Sequence, residues 1–159
     1  MSEAAASQQQ QPLFNIEKLY VKDLSLEIPH APGIFLEREN PQIELQLQSQ
    51  ATSIEEGVFE VIITVTVTAK LAEKSKVMFL IEAKQAGIFR VHNLPQAELA
   101  QVLGIVCPNI LYPYLREVVS EMTVRAGFAP VLLSPVNFEE MFHQQHMQQQ
   151  AEDKPFSTH

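Results

Sequence analysis

The stretch VFEVIITVTVTAK, residues 58–70, decides the fold of this chain because its side chains alternate in character. One set of alternate positions is wholly apolar, and the other holds threonine, glutamate and a single isoleucine. The first set is Phe59, Val61, Ile63, Val65 and Val67, and the second is Glu60, Ile62, Thr64, Thr66 and Thr68. Successive side chains of a β-strand point to opposite faces of a sheet. The pattern therefore predicts a strand with one buried face and one largely polar face.

Three further segments around this stretch are also typical of strands. LFNIEKLYVKDLSLEIP at 13–29 is rich in Leu, Ile, Tyr and Val, QIELQLQSQA at 42–51 alternates without a break, and VMFLIEAKQAGIF follows at 77–89. Short polar links join the four segments, and no helical pattern separates them. Consecutive strands joined in this way form antiparallel sheets. This part of the chain therefore predicts a four-stranded antiparallel meander.

The apolar period changes after the fourth strand. CPNILYPYLREVVSEMTVRAG, residues 107–127, carries apolar side chains at spacings of four, three and four, which place them on one face of a helix. These residues are Leu111, Leu115, Val118 and Met122. Gly127 and Pro130 mark the end of this long helix. Pro108 and Pro113 predict that it begins or bends near Pro108, with Pro113 in or near its first turn.

A second, short helix is predicted in SPVNFEEMFHQQHMQQQ, residues 134–150, where Asn137 can cap the first turn. Strands first and helices last give the fold class α+β, in a single domain of residues 14–150. The glutamine-rich N-terminus, residues 1–13, is predicted to be disordered, and residues 151–159 to be a flexible tail. One long helix cannot easily cover both a sheet face and its own apolar stripe. Self-association is therefore expected, with a compact monomer as the alternative.

Charge and composition restrict the partners and the compartment. The net charge is −8, and the first 60 residues hold ten acidic side chains against three basic ones. Such a surface repels nucleic acid and anionic membranes and attracts a basic protein, although a plain solubilising surface is the commoner meaning. A single cysteine, no signal-peptide pattern and no apolar run of about 20 residues predict a soluble cytosolic protein.

No catalytic or cofactor-binding set can be assembled from the sequence. Cys107 precedes Pro108, which lacks an amide hydrogen, so a buried thiol is favoured over a nucleophile. His143 and His146 have a spacing that could share a metal, but a third ligand is missing nearby and solvated imidazoles are favoured. The five glycines form no phosphate-binding pattern. The sequence therefore predicts no enzyme activity, no cofactor and no metal.

Two predicted surfaces are more informative. Asp23 and Glu27 share one face of the first strand, and Leu80 and Glu82 share one face of the fourth. If both faces lie on the same side of the sheet, three carboxylates surround one exposed leucine. Such a patch suits a short basic segment with an apolar anchor. A solvated sheet face with an incidental leucine is the alternative.

The second surface involves the connector between the two helices. GFAPVLLSPVNFEEMF, residues 127–142, is too apolar for an ordinary surface loop. Laid across the sheet, it would form the wall of a long apolar trough, with Phe138, Met141 and Phe142 as an adaptable rim. Ordinary core packing of loop and helix is the alternative.

Five segments, in this order and spacing, resemble the bacterial protein-export chaperone family SecB. They are KDLSLEIPHAPGIF (22–35), VTVTA (65–69), FLIEAKQAGIF (79–89), CPNILYPYLREVVSEMTVRAGF (107–128) and LSPVNFEEMF (133–142). The resemblance extends from about Phe14 to Phe142, which is nearly all of the chain expected to be ordered. Ala86 stands where SecB chains often have glycine, and the two ends match no pattern of the family.

The resemblance implies a homotetramer, built as a dimer of dimers, that holds unfolded precursor proteins in the cytosol. It also implies their delivery to the translocase motor ATPase SecA, without use of ATP. A general anti-aggregation holdase with no SecA-targeting role, or a carrier of a lipid-like ligand, is the alternative. The family's SecA-binding surface falls on Asp23, Glu27, Leu80 and Glu82. Its client-binding groove makes candidates of Phe128, Leu132, Phe138, Met141 and Phe142.

Overall fold

The computed structural model describes residues 10–72 and 75–153 of the chain. The strands are β1 Leu13–Glu27, β2 Gln42–Glu55, β3 Val58–Leu71 and β4 Lys76–His92, with a 3₁₀ turn Gly33–Leu36 between β1 and β2. The helices are α1 Gln96–Gln101, a π-helical turn Val102–Val106, α2 Cys107–Arg125 and α3 Phe138–Glu152. This order confirms the predicted α+β class. Most of the predicted disordered N-terminus and flexible tail, residues 1–9 and 154–159, lies outside the described residues.

The four strands form one antiparallel sheet in the order β1-β4-β3-β2. The predicted meander is correct for β2, β3 and β4, and wrong for β1, which pairs with β4 rather than β2. The link between β1 and β2 is not a plain turn, since its 3₁₀ segment buries Ile34 in the core. This link has to span the two central strands. β1 and β2 are therefore the two edges of the sheet.

One face of the sheet carries the core. On β3 the alternate side chains predicted to be buried are at most 2% exposed: Val61, Ile63, Val65 and Val67. Phe59, at the start of the same strand, is only partly buried. α2 covers this face with Leu111, Leu115 and Val119, each fully buried. Full burial of such a side chain stabilises the fold by about 1.5–3 kcal/mol, so the contact between α2 and the sheet contributes substantially to the stability of the fold.

α2 follows α1 and the π-helical turn without a break. Pro108 lies in its first turn, as predicted, whereas Pro113 lies inside the helix, so its predicted place in or near the first turn is wrong. A proline inside a helix removes one backbone hydrogen bond, and the apolar contacts of α2 with the sheet offset that loss. The helix ends as predicted: Gly127 has a φ of 91°, and Arg125 pairs with Glu121 at 3.1 Å.

The helical stretch Gln96–Arg125 has the length and the mean hydropathy, 1.2 over 18 residues, of a helix that could cross a membrane. In this fold Leu111, Leu115 and Val119 on one of its sides pack in the core. The core helix of a globular domain has the same composition as a membrane span. The contact with the sheet therefore accounts for the apolar side chains on this side of the helix.

The core side of the sheet is incompletely covered at β1. Four apolar side chains of this edge strand are 37–46% exposed: Phe14, Ile16, Val21 and Leu24. Their partners on β4 are buried, which places them on the core side. On α2, Tyr114 and Val124 are 44% and 54% exposed. A single chain thus leaves part of its sheet and part of its helix unburied, which is the reason to expect self-association.

Candidate functional site

The face of the sheet opposite the helices, called the outer face below, carries the predicted acidic patch. The pairing of β1 with β4 places Glu27 opposite Leu80 and Asp23 opposite Lys84, with Glu82 between these two positions on β4. Leu80, Glu82 and Lys84 alternate with buried side chains, so they point away from the core. Directly opposed residues share a face, and neighbouring strands lie about 4.8 Å apart. The structure therefore brings the four predicted residues together. The name acidic patch is kept for Asp23, Glu27, Leu80 and Glu82.

Other carboxylates of the sheet are held by basic side chains. The pairs are Glu60 with Lys22 at 2.8 Å, Glu44 with Lys70 at 3.3 Å and Glu17 with Arg90 at 2.5 Å. Within residues 10–72 and 75–153, the three carboxylates of the acidic patch make no ion pair. Exposed ion pairs contribute only about 0–1 kcal/mol to stability. Their main effect here is on the charge pattern, because they leave the three carboxylates of the acidic patch without an ion pair.

Glu60 receives two hydrogen bonds from β1. Its Oε1 accepts from Nζ of Lys22 at 2.8 Å, and its Oε2 accepts from the hydroxyl of Tyr20. The hydrogen bond from Lys22, and after it the one from Tyr20, lowers the pKa of the Glu60 carboxyl. Burial, together with the neighbouring carboxylate, raises the pKa of Tyr20 to about 12. At neutral pH the group is therefore an ionised carboxylate held between an ammonium and a neutral phenol.

An apolar trough runs along the free edge strand β2, between β2 and the connector that joins α2 to α3. Its middle part is a cavity of about 150 Å³ with an almost entirely apolar lining. The lining residues are Leu45, Leu47, Val65, Tyr112, Leu133, Ser134, Pro135 and Val136. Leu45 is 50% exposed, so the cavity is open to solvent. The connector therefore forms one wall of an apolar cavity, and a trough that continues along the whole connector stays a prediction.

Hydrogen bonds hold the connector against α2 at two points. The backbone amide of Val131 donates to Oγ1 of Thr123 at 3.0 Å, and Thr123, which is fully buried, donates in turn to the carbonyl of Ser120 at 2.9 Å. The hydroxyl of Tyr112 donates to the carbonyl of Ser134. A segment without regular secondary structure thereby becomes a fixed wall, since its backbone groups bond to a helix that is itself anchored in the core.

Phe128 and Leu132 belong to the connector, on the side of the β1–β2 link, and line neither the cavity at Leu45 nor the one beside α3. The ring of Phe128 lies between Phe35 and Phe79, with centroid separations of 5.2 and 5.0 Å. Leu132 is 73% exposed, and Leu36 on the neighbouring 3₁₀ turn is 84% exposed. Aromatic and aliphatic side chains are therefore exposed to solvent where the connector lies near the β1–β2 link.

Phe138 begins α3 at one end of the trough. The helix starts as predicted, because Oδ1 of Asn137 accepts from the amide of Glu140 at 3.0 Å. Phe138 is 2% exposed and packs edge-on against Tyr112, with centroids 5.6 Å apart. It belongs to the core beneath the trough, so its predicted contact with a client would require α3 to move.

Met141 and Phe142 border a second cavity of about 170 Å³, between α3, β2 and the π-helical turn. The ring of Phe142 lies directly over Gly104, where a Cβ atom would come within 2.4 Å of the ring. Glycine is required there for α3 to approach this closely. Ala51 on β2 lies on the opposite wall. This end of the trough is therefore bounded by α3, and the position of α3 depends on Gly104.

Of the five predicted groove residues, Phe138, Met141 and Phe142 line the cavity beside α3, Phe128 and Leu132 line neither cavity, and the middle part of the trough went unpredicted. Leu45, Leu47 and Tyr112 line it, yet the sequence marked the first two only as the apolar face of a strand. The alternation of β2 was visible. The sequence did not show that β2 is an edge strand with the connector beside it, because no local pattern indicates strand order.

The structure favours neither catalysis by Cys107 nor metal binding by His143 and His146. Cys107 is fully buried, and burial raises the pKa of its thiol to about 12, so the thiolate is absent at neutral pH. His143 is exposed and lies 3.8 Å from Glu139, and His146 packs against the ring of Phe142. In the part of the chain that the structure describes, no group of three His, Cys, Asp or Glu side chains could hold a metal ion.

Three comparisons relate this chain to known proteins. The family model described as "Preprotein translocase subunit SecB" matches residues 7–150. The chain is 62% identical to the protein-export protein SecB of Nitrosomonas eutropha over 147 residues, covering 92% of this chain and 91% of that one. It is 55% identical to the SecB of Methylobacillus flagellatus over 157 residues, covering 99% and 98% of the two chains.

Among solved structures, the fold is similar to the Mycobacterium tuberculosis Rv1957 SecB-like chaperone in complex with a ChAD peptide from the Rv1956 HigA1 antitoxin. The TM-score is 0.64 at 18% identity, covering 77% of this chain and 90% of that one. At this identity the likeness concerns the fold alone.

Proposed function

The chain belongs to the SecB family of protein-export chaperones, and from this premise we propose that it works in the cytosol, binds unfolded precursor proteins and delivers them to the motor ATPase SecA. As a member of this family it is a chaperone and not an enzyme. The observation that carries the proposal is the solvent-open apolar trough along β2.

The trough suits an extended segment of unfolded polypeptide. An unfolded precursor exposes the apolar side chains that folding would bury, and these drive aggregation. Leu45 and Leu132, which are 50% and 73% exposed, offer apolar surface that such a segment can cover. Several weak contacts along one trough hold many sequences without demanding any one of them. Clients that fold quickly escape, because native burial competes with binding. No nucleotide is needed for this equilibrium.

The acidic patch supports docking of SecA. Its three carboxylates have no basic partner in the described part of the chain, and Leu80 lies among them as an apolar anchor. A basic segment of the partner would replace the missing counter-charges. The acidic patch and the trough lie on opposite faces of the sheet, so a client and SecA could be bound at the same time.

Assembly as a dimer of dimers is supported by the unburied apolar side chains of β1 and α2. Leu24 and Val21 on β1, and Tyr114 on α2, are 37–46% exposed in the single chain. A symmetric interface would bury such surfaces against their copies. Four troughs on one particle would also strengthen the binding of a long client, because each further contact becomes intramolecular.

The test is a refolding experiment with a slow-folding precursor in the absence of nucleotide. The purified chain is expected to delay refolding in proportion to its concentration, and to bind SecA with the client still held. Delay without SecA binding would favour the general holdase. Saturation by a lipid-like ligand, with no effect on refolding, would favour the small-molecule carrier and contradict the proposal.

A further inference from the structure

Two irregularities of β1 determine where its charged side chains point. β1 shifts register twice against β4, and each shift leaves one extra residue without a partner on β4: Glu17 and Lys22. A bulge can place two consecutive side chains on the same face of a sheet. Lys22 and Asp23 are both on the outer face, because Lys22 contacts Glu60 and Asp23 lies opposite Lys84. A lysine is thus the immediate neighbour of a carboxylate of the acidic patch, on the same side.

The ammonium of Lys22 nevertheless does not pair with Asp23. It lies 2.8 Å from Oε1 of Glu60, on β3, and so reaches across β4. Two opposite charges at such a separation attract each other, and they do so more strongly near a protein surface than in bulk water. The position of this ammonium therefore affects how much negative charge the acidic patch carries, in addition to Lys84, which lies opposite Asp23.

Tyr20 determines which carboxylate oxygen of Glu60 accepts the hydrogen bond from Lys22. Its hydroxyl donates to Oε2 of Glu60, which leaves Oε1 for Lys22. Tyr20 lies opposite Ala86 on β4, and this small residue leaves room for the phenol to reach β3. Two side chains of β1 thus converge on one carboxylate of β3.

We propose that Glu60 is a positioning residue of the acidic patch: it draws the Lys22 ammonium away from Asp23 and so keeps the patch negative for its basic partner. Glu60 acts through Lys22 and does not itself need to touch the partner. This inference rests on the proposed docking of SecA.

The test compares the affinity of full-length variants for SecA at low ionic strength. Glu60→Gln keeps the shape of the side chain, removes its charge and releases Lys22 to pair with Asp23. Binding is expected to weaken by about fivefold. Adding Lys22→Met to Glu60→Gln removes the released charge and is expected to restore binding to within about twofold of the unsubstituted chain. A purely structural role of Glu60 would leave the double variant as weak as the single one.

Glu17→Gln is the matched control. It also removes one carboxylate from a bulge pair of β1 and releases a cation, Arg90, but it lies about 20 Å along the strand from Asp23. Its SecA affinity is expected to stay within about twofold of the unsubstituted chain. An equal loss in both single variants would overturn the inference, because total charge would then explain the effect.

Two further variants separate this inference from the proposed function. If Asp23→Asn leaves SecA binding unchanged, the docking proposal itself fails. If Asp23→Asn weakens binding while Glu60→Gln does not, only the role of Glu60 is overturned. Lys22→Met alone keeps the inference testable should Glu60→Gln not fold. It is expected to change affinity by less than about twofold, whereas a lysine that already neutralised Asp23 would give about fivefold tighter binding when removed.

Discussion

The outer face and the trough belong to the same sheet, but they are assembled from the chain in different ways. The acidic patch needs only two adjacent strands and their register. The trough is formed by side chains from β2, β3, α2 and the connector, which are far apart in sequence. A surface made by strand alternation can be inferred from local pattern, whereas a surface made between elements depends on how those elements pack. The same difference predicts that substitutions in one surface leave the other intact.

The largest expected effect is the loss of SecA binding when the charge of the acidic patch is reversed. Asp23→Lys combined with Glu82→Lys replaces two attractions to a basic partner by two repulsions. Affinity is expected to fall about a hundredfold or more at low salt, and less at high salt. The delay of client refolding should be unchanged, because the trough lies on the other face. Titration with SecA at two ionic strengths, beside the refolding assay, measures both.

The control for this pair reverses two carboxylates away from the patch. Glu56 is exposed in the β2–β3 turn and Glu98 is exposed on α1. Lysine at both positions changes the net charge by the same amount. If SecA affinity falls equally in this control, long-range charge rather than the acidic patch governs docking.

Strand periodicity was sufficient to place the residues of the acidic patch on one face of each strand, but it could not pair β1 with β4, because the predicted meander put β1 beside β2. Leu80 and Glu82 alternate with buried neighbours on β4, and Asp23 and Glu27 lie opposite the same face of β4. What periodicity could not reveal is the bulge that turns Lys22 to the same face as Asp23. A bulge is a property of the pairing between two strands, and no residue type in this stretch marks it. The contacts of Glu60 with β1, about forty residues away, were invisible for the same reason.

A second prediction concerns the middle of the trough. Leu45→Asp combined with Val136→Asp places a carboxylate on each wall of the cavity, so an apolar client segment would have to desolvate both charges. Binding of a permanently unfolded, reduced and alkylated protein is expected to weaken by about tenfold or more. SecA affinity should remain within about twofold, since the acidic patch is untouched.

Ile54→Asp is the control for the trough. Ile54 is 54% exposed near the end of β2, beyond the residues that line the trough. Its substitution adds a charge to the same strand and is expected to leave client binding within about twofold. Equal weakening by Ile54→Asp would mean that the general charge of β2, and not the trough, decides client binding.

The trough was only partly predicted, and the reason lies in particular contacts. The apolar composition of the connector indicated that it covers something, whereas Phe128 and Leu132 became groove candidates through the resemblance to SecB. The order of the strands, which makes β2 an edge, follows from the pairing of β1 with β4. Burial of Ile34 and the position of the β1–β2 link depend on that order too. Neither the strand order nor the path of the β1–β2 link is indicated by a local sequence pattern. Leu45 could therefore be assigned to a strand but not to a binding surface.

A third prediction tests whether the wall of the trough is fixed by its hydrogen bonds. Thr123→Val keeps the volume of a fully buried side chain but removes the acceptor for the amide of Val131. Leaving this amide unsatisfied is expected to lower the free energy of unfolding by about 1–3 kcal/mol. Client binding should weaken modestly with it, while SecA binding should not change. Denaturant unfolding at a fixed protein concentration measures the first quantity.

Thr64→Val makes the same exchange on the outer face, where the side chain is partly exposed. The free energy of unfolding is expected to change by less than about 0.5 kcal/mol, since valine suits a strand. If Thr123→Val lowers the free energy of unfolding no more than Thr64→Val does, packing alone holds the wall of the trough.

The smallest expected effect is the acid dependence that Glu60 adds to the outer face. Its pKa is lowered in the folded chain, by the hydrogen bond from Lys22 and then by that from Tyr20. A carboxyl whose folded pKa lies below its unfolded value of about 4.3 stabilises the fold above that pH, and this stabilisation disappears as the pH falls through the folded pKa. Since Lys22 is 43% exposed, solvent screening keeps the contribution well under about 1 kcal/mol.

The unsubstituted chain should therefore exceed Glu60→Gln in unfolding free energy by a small margin at pH 7, and the margin should shrink below about pH 4. A margin for Glu60→Gln that is the same at both pH values would mean that the carboxylate is held no more tightly in the folded chain than in the unfolded one, and the two hydrogen bonds from β1 would then have no energetic consequence.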